Sequence, residues 1–293
     1  MTVFTIVVTF NRLNLLKEAL EAIKKQTVGV DKIVVVNNGS TDGTSGWLQE
    51  QQDLVIIEQG NVGGAGGFHT GIKYAYENCA DWIWVMDDDV KPEPDCLFEL
   101  LKYGNISKCL HPSKRCMDGV DFPWAKSFDI KRNHKFYLSD NEYKNKDIFF
   151  VNTGCFEGML IHSEIVNKIG FPDPRFFING DDTIYGYLAN QYTNVSVVNN
   201  AKMVRARSSK EDNFKPMFLY YELRNFHLFE EYTLRFTNKG YPFIVKLRHY
   251  TIAISILVRT IFLKRNFNFK IKLISAVIRG VIDSKRRKVN SSY

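Results

Sequence analysis

Short, unbroken apolar runs alternate with amphipathic stretches along the first hundred residues. Residues 4–9 form a β-branched run, and Leu13, Leu16, Leu20 and Ile23 follow at helical spacing with Lys17, Glu18, Glu21 and Lys24 between them. Residues 32–36 and 54–58 repeat the strand pattern, residues 70–76 read as helix, and residues 82–86 are a fourth apolar run. Runs this short suit strands covered on both faces. The alternation predicts an α/β fold: a Rossmann-like, mostly parallel sheet flanked by helices. Residues 155–161 read as a later strand, whereas residues 103–147 are charged, show no clear period and read as an insertion. Beyond about residue 215 the pattern turns helical and basic, so the expected division is a domain of residues 1–214 and a helical extension of residues 215–293.

Ligand-binding loops of such sheets lie at the carboxyl ends of the strands. The polar and glycine-rich segments fall there: Thr9-Phe10-Asn11-Arg12, Asn37-Asn38-Gly39-Ser40-Thr41-Asp42-Gly43, residues 60–67, and Asp87-Asp88-Asp89. Three adjacent carboxylates at a strand end repel one another beside a low-dielectric core, and a divalent cation relieves that cost. Alternate residues of an extended chain point the same way, so Asp87 and Asp89 are the candidate metal pair, with Mg²⁺ or Mn²⁺ suited to hard oxygen ligands. The plainer alternative is a solvated acidic turn.

Asn61-Val62-Gly63-Gly64-Ala65-Gly66-Gly67 packs four glycines into five positions, allowing a close approach of backbone to a phosphate or sugar. It completes neither a dinucleotide fingerprint, since His69 stands at the third glycine, nor a P-loop; a tight turn is the alternative. Asn38 and its neighbours suit recognition of a base or ribose, or serve as a turn and helix cap. Asp181-Asp182 is a second acidic pair; facing the same cleft, it would supply the carboxylate that deprotonates an attacking hydroxyl, and otherwise it is an acidic helix start.

Composition sharpens the picture in two places. The five cysteines form no CxxC pair, which fits a reduced, cytoplasmic setting; Cys109 and Cys116 with His111 between them lack the second ligand pair of a zinc site. The net charge is +7, yet residues 239–293 hold thirteen Lys and Arg against Asp283 alone. The body is therefore acidic, which argues against nucleic acid, and the tail is built to meet an anionic surface. Residues 1–10 read as a strand rather than a leader, and no uncharged apolar run approaches the ~20 residues of a span. The tail suits an amphipathic helix lying on the cytoplasmic face of a membrane as a peripheral contact; the other arrangement it allows is a helical interface in a homo-oligomer.

Taken together, Val7-Val8-Thr9-Phe10-Asn11-Arg12, Val36-Asn37-Asn38-Gly39-Ser40-Thr41-Asp42-Gly43-Thr44, Asn61-Val62-Gly63-Gly64 and Trp84-Val85-Met86-Asp87-Asp88-Asp89 resemble the family 2 inverting glycosyltransferases of GT-A fold. The resemblance runs through residues 3–100 and returns at 150–225. With Phe176-Phe177-Ile178 leading to Gly180-Asp181-Asp182-Thr183, it is nearest to galactofuranosyltransferases, with rhamnosyltransferases close behind. It implies transfer of a sugar, galactofuranose first, from a UDP or dTDP donor to a glycan or lipid-linked glycan. It implies Asp87 and Asp89 as metal ligands, Asp88 beside the donor ribose or phosphate, and Thr9, Asn11, Arg12, Asn38, Asn61, Gly63 and Gly64 around the nucleotide. Asp182 would be the general base and Asp181 a binder of sugar hydroxyls. Two positions depart from the pattern: Ile184 replaces a Glu, and Arg205 stands where relatives place a metal-ligating His. Arg205 would instead neutralise the diphosphate, with His162 or His227 as substitute ligands. The same departures suit a nucleotide-sugar-binding subunit with weak catalysis. Tyr220-Tyr221-x-x-Arg224-Asn225 also recurs in the family, either as function or as aromatic packing.

Overall fold

A computed structural model of the chain describes residues 1–122, 124–210 and 214–289. In chain order the elements are β1 (Val3–Thr9), α1 (Leu13–Lys24), β2 (Lys32–Asn37), α2 (Thr44–Gln49), β3 (Val55–Glu58), α3 (Gly63–Glu77), β4 (Trp82–Asp87), β5 (Val90–Pro92) and α4 (Cys96–Leu101). Then come β6 (Cys109–Cys116), β7 (Asp121–Phe122), β8 (Lys126–Asp129), β9 (His134–Tyr137), α5 (Asp140–Tyr143), β10 (Ile148–Val151), β11 (Met159–His162), α6 (Ser163–Ile169), α7 (Asp181–Ala189) and β12 (Val195–Arg205). Four helices close the chain: α8 (Pro216–Arg224), α9 (Phe226–Thr237), α10 (Phe243–Phe262) and α11 (Phe267–Lys285).

Two compact units result. The first comprises residues 1–127, 136–174 and 182–211; the second comprises residues 128–135, 175–181 and 212–293. Two short segments from within the first 214 residues therefore belong to the helical unit.

The first unit is built on one sheet of order β10-β12-β6-β11-β4-β1-β2-β3, with β5 on β12 and β7 on β6. The pairs β3–β2, β2–β1, β1–β4 and β6–β12 are parallel, whereas β11 is antiparallel to both neighbours. This is the expected α/β sheet flanked by helices. Alternation along β1 explains the two cores. Phe4, Ile6 and Val8 pack with Phe68, Ile72 and Ala75 of α3 on one face, while Val3 and Val7 meet Leu16, Leu20 and Ile23 of α1 on the other. Each such buried aliphatic side chain contributes about 1.5–3 kcal/mol.

Three expectations change. The glycine-rich segment is helical rather than a loop, since α3 begins at Gly63 and not near residue 70. Its glycines serve packing: a Cβ at Gly67 would lie 2.4 Å from Val8 Cγ1, and one at Gly71 would lie 2.2 Å from Ile6 Cγ2. The presumed insertion contains β6, a strand lodged between β11 and β12. His111, Pro112, Lys114 and Arg115 hid it by breaking its apolar run. The late strand starts at Met159, and Cys155 to Gly158 remain a loop, turned at Gly158 with φ 94°.

The second unit packs Leu219 and Leu223 of α8 against Ala253 and Ile256 of α10 and Leu273 and Val277 of α11. Arg224 is fully buried within it and spends its guanidinium on the Arg175, Phe176 and Val289 carbonyls and on Asn225 Oδ1.

Candidate active site

Asp87 ends β4, and Asp88 and Asp89 form the turn that follows it. Asp88 is buried and tied from two sides: Thr9 Oγ1 donates to it at 2.7 Å and Arg12 at 3.0 Å. Burial still raises its pKa, against the pull of Arg12. Arg12 also donates to Asp89 Oδ2 at 2.9 Å, and Arg207 adds two bonds to the same oxygen at 2.9 and 2.6 Å. Asp87 is the strained member. Burial and the charges of Asp89, Glu157 and Asp88 push its carboxyl well above the usual range.

Glu157 is the residue sequence reasoning missed. It stands in the loop before β11, and one oxygen each from Asp87, Asp89 and Glu157 lie within 4.8 Å of one another. Its one signal in the sequence was a lone charge in the apolar run Cys155-Phe156-Glu157-Gly158-Met159. Arg205 donates to Glu157 at 2.9 Å and lies over the Phe122 ring, and Lys114 Nζ approaches the other oxygen at 3.8 Å. His111 and Trp84 hold the loop. His111 Nε2 accepts from the Cys155 N–H at 3.2 Å, His111 Nδ1 faces the Ser196 carbonyl at 3.3 Å, and Trp84 Nε1 donates to the Gly158 carbonyl at 3.1 Å. His111 is thus a neutral backbone clamp and not a zinc ligand.

The cluster fits a cation. Asp89 Oδ1 and Glu157 Oε2 are buried and lack hydrogen-bond partners among the described residues, and both belong to the group of three carboxylates. An unpartnered buried carboxylate oxygen is costly, and a hard divalent ion is its natural partner. Neither expected substitute joins them. His162 accepts from the Glu164 N–H and meets Trp82 edge-to-face, and His227 Nδ1 meets the Arg224 carbonyl in the second unit.

The remaining loops are braced against each other. Asn11, at φ 54°, accepts from the Thr41 N–H at 2.6 Å, and its own N–H donates to Ser40 Oγ. Asn38 is buried, donating to the Gly63 carbonyl at 3.0 Å and accepting from Gln59 at 2.6 Å. Asn61 Oδ1 accepts from the Gly63 N–H, and Gly64 has open space where a Cβ would stand. Asn38 and Asn61 thereby set the entry of α3.

Asp182 opens α7 with its Oδ1 accepting from the Thr183 N–H at 2.6 Å. That turn presses on the loop leading to Glu157: a Cβ at Gly154 would lie 2.6 Å from the Asp182 carbonyl oxygen. The Cys155 thiol feels both acids. Burial first, then Glu157 and Asp182 against Lys114, push it up to about 12. Asp181 is buried and falls in the second unit. There Asn225 donates to the Phe176, Ile178 and Asn179 carbonyls at 3.1, 3.0 and 2.8 Å, and Tyr221 stacks on Phe177 at 4.7 Å. The Tyr220-Tyr221-x-x-Arg224-Asn225 motif is thus a buried clamp on the segment leading into the acidic pair.

The sequence matches the glycosyl transferase family 2 domain over residues 5–164, more than half of the chain. The chain belongs to glycosyl transferase family 2. Within the family it is 28% identical over 188 residues to galactofuranosyltransferase GlfT1 of Mycolicibacterium smegmatis, covering 61% of this chain and 62% of that protein. It is 28% identical over 253 residues to GlfT2 of the same organism, covering 74% of this chain and 39% of the relative. The chain thus spans less than two thirds of the length of these relatives. The fold is shared with the mannosyltransferase PcManGT of Pyrobaculum calidifontis in complex with GDP-Man and Mn²⁺, at TM-score 0.57 and 17% identity over 98% of this chain and 87% of that one. It is shared too with S. aureus TarS in complex with UDP-GlcNAc, at TM-score 0.58 and 16% identity over 96% and 82%. In this family 2 chain the acidic end of β4 and the Glu157 loop form one largely buried acidic cluster of the first unit.

Proposed function

We propose that this chain is a metal-dependent inverting glycosyltransferase that moves a sugar from a nucleoside diphosphate, UDP favoured, to a hydroxyl of a glycan or lipid-linked glycan. The observation that carries the reading is the gathering of Asp87, Asp89 and Glu157 at the carboxyl end of β4. The galactofuranosyltransferase relatives favour galactofuranose as the sugar, and the neighbours solved with UDP-GlcNAc, or with GDP-Man and Mn²⁺, support a nucleotide-sugar donor.

Asp87, Asp89 and Glu157 would hold Mg²⁺ or Mn²⁺, which supplies Lewis-acid stabilisation of the departing diphosphate. Thr9 and Arg12 hold Asp88 in place, where it would lie beside the donor. Asn11, Asn38, Asn61, Gly63 and Gly64 shape the nucleotide loops. Arg205 and Arg207, now paired with Glu157 and Asp89, bring two guanidinium groups to the place where phosphate charge develops. Asp182 takes the proton of the attacking hydroxyl as it displaces the diphosphate, so the anomeric configuration inverts. Asp181 binds sugar hydroxyls.

Peripheral contact with an anionic membrane surface is part of the proposal. Phe243, Leu247, Tyr250, Ile254, Val258 and Ile261 are exposed along α10 at spacings of three and four, within a strongly basic tail. Among the described residues no helix is long and apolar enough to cross a membrane.

The test is UDP release from a panel of UDP and dTDP sugars with Mn²⁺, run with and without glycan acceptors. Asp182→Asn should lower transfer by about 10²–10⁴-fold and leave UDP affinity unchanged. Normal turnover by that variant would remove Asp182 from the mechanism, and no release from any donor would sink the transferase reading.

A further inference from the structure

The second unit holds a cavity of about 310 Å³ that the carboxylate site does not use. That volume lies at the lower end of small-ligand pockets. Phe128, Phe226 and Phe229 give it an aromatic side, while Arg132, Lys135 and Arg248 give it cations. They come from residues 128–135, from α9 and from α10, so three separate stretches of chain converge on it.

The lining is unbalanced in charge. Its one acid is Glu222, whose carboxyl burial pushes upward against the pull of Lys135. Arg132 shares its charge with Asp129 at 3.7 Å, but Arg248 has no carboxylate partner among the described residues. Arg248 is instead braced by His134 Nδ1 at 3.0 Å. His249, also in the lining, is only 7% exposed and stacks on Phe226 at 4.1 Å. Its Nε2 is buried and has no hydrogen-bond partner among the described residues. Converging cations and an idle buried imidazole nitrogen beside an apolar wall are what an oxyanion on a less polar carrier requires.

We propose that this cavity binds a phosphate-bearing ligand, its oxyanion held by Arg248 and Lys135 with His249 beneath, and its carrier laid against Phe226 and Phe229. Asn179 also lines the cavity and stands three residues before Asp182 in the chain. With an aromatic wall suited to a sugar or lipid, the acceptor is the favoured carrier, and that identity alone rests on the transferase reading. A phosphate on the acceptor glycan and an anionic lipid headgroup share the chemistry.

Inorganic pyrophosphate titrated calorimetrically into the full chain, held metal-free in saturating UDP, tests the site apart from the nucleotide loops. One-to-one binding is expected, weakened about ten-fold in Arg248→Gln and in Lys135→Gln. His249→Phe should weaken it too, while all three keep the wild-type circular dichroism spectrum. No binding, or binding indifferent to both charge substitutions, overturns the proposal. A chain that bound no UDP even with Mn²⁺ added would fail the transferase reading and leave this metal-free titration interpretable, because its readout is the Arg248 and Lys135 dependence. Flotation with phosphatidylglycerol or phosphatidylcholine vesicles then assigns the source. Loss of phosphatidylglycerol binding on adding pyrophosphate supports the site with a lipid headgroup as ligand; indifference to pyrophosphate supports it with a phosphate on the glycan.

Discussion

Replacing Glu157 by Gln removes one charge from the carboxylate cluster and keeps its shape. At the 4.8 Å limit of separation, each like-charge pair costs at least about 3.5 kcal/mol at an effective dielectric of 20. Asp87, whose carboxyl is already pushed well above the usual range, adds little to this, so the substitution relieves about 3.5 kcal/mol through the Asp89 pair. It also forfeits the attraction of Arg205 at 2.9 Å and Lys114 at 3.8 Å, together about 10 kcal/mol on the same scale. Desolvation of the Glu157 charge, several kcal/mol per buried ion, is relieved at the same time. What remains is Lys114, whose side chain is fully buried and loses its carboxylate, so the metal-free variant should be about 3–5 kcal/mol less stable than wild type. The cation, in contrast, loses a direct ligand. Affinity for Mn²⁺ should fall about 100-fold, the upper end of what even an outer-shell partner contributes. Paramagnetic resonance of free Mn²⁺ reads the affinity, and urea denaturation with and without Mn²⁺ reads the stability. At a concentration 100 times its wild-type Kd the ion stabilises wild type by about 2.7 kcal/mol and the variant by only about 0.4 kcal/mol. Unchanged Mn²⁺ affinity would remove Glu157 from the ligand set; unchanged stability of the metal-free variant would refute the charge balance.

Three further outcomes follow from the packing. Gly71→Ala drives a Cβ to 2.2 Å from Ile6 Cγ2, so α3 must move off β1; a loss of about 1–3 kcal/mol is expected in denaturant titration, and none would refute the close-packing role of the α3 glycines. Arg224→Lys replaces a buried fork by a point charge and frees the segment of residues 175–176; kcat should drop about ten-fold with the donor KM unchanged, whereas a change in KM alone would place the motif elsewhere. His249, neutral in the fold because burial lowers it to about 4, regains an ordinary pKa near 6.5 when unfolded. Its contribution is full above pH 6.5 and is lost as the pH falls towards 4, about 3 kcal/mol in all; His249→Phe should flatten that limb of the stability–pH curve.

The sequence by itself determined the elements whose signal is local. The apolar runs at residues 4–9, 32–36 and 82–86 and the helical spacing of Leu13 to Ile23 are periodicities, and periodicity survives without neighbours. Asp87 and Asp89 were legible for the same reason, as adjacent carboxylates at a strand end. Only tertiary structure placed β6 inside the sheet, because Lys114 is tolerated in a buried strand through Glu157 and the Trp124 ring, neither of them near it in sequence. Tertiary structure alone also supplied Glu157 to the cluster and turned the α3 glycines from an open loop into a contact surface for β1. In each case a buried charge or a missing Cβ makes sense only beside its partner, and that partner is brought in by the fold rather than by the neighbouring residues.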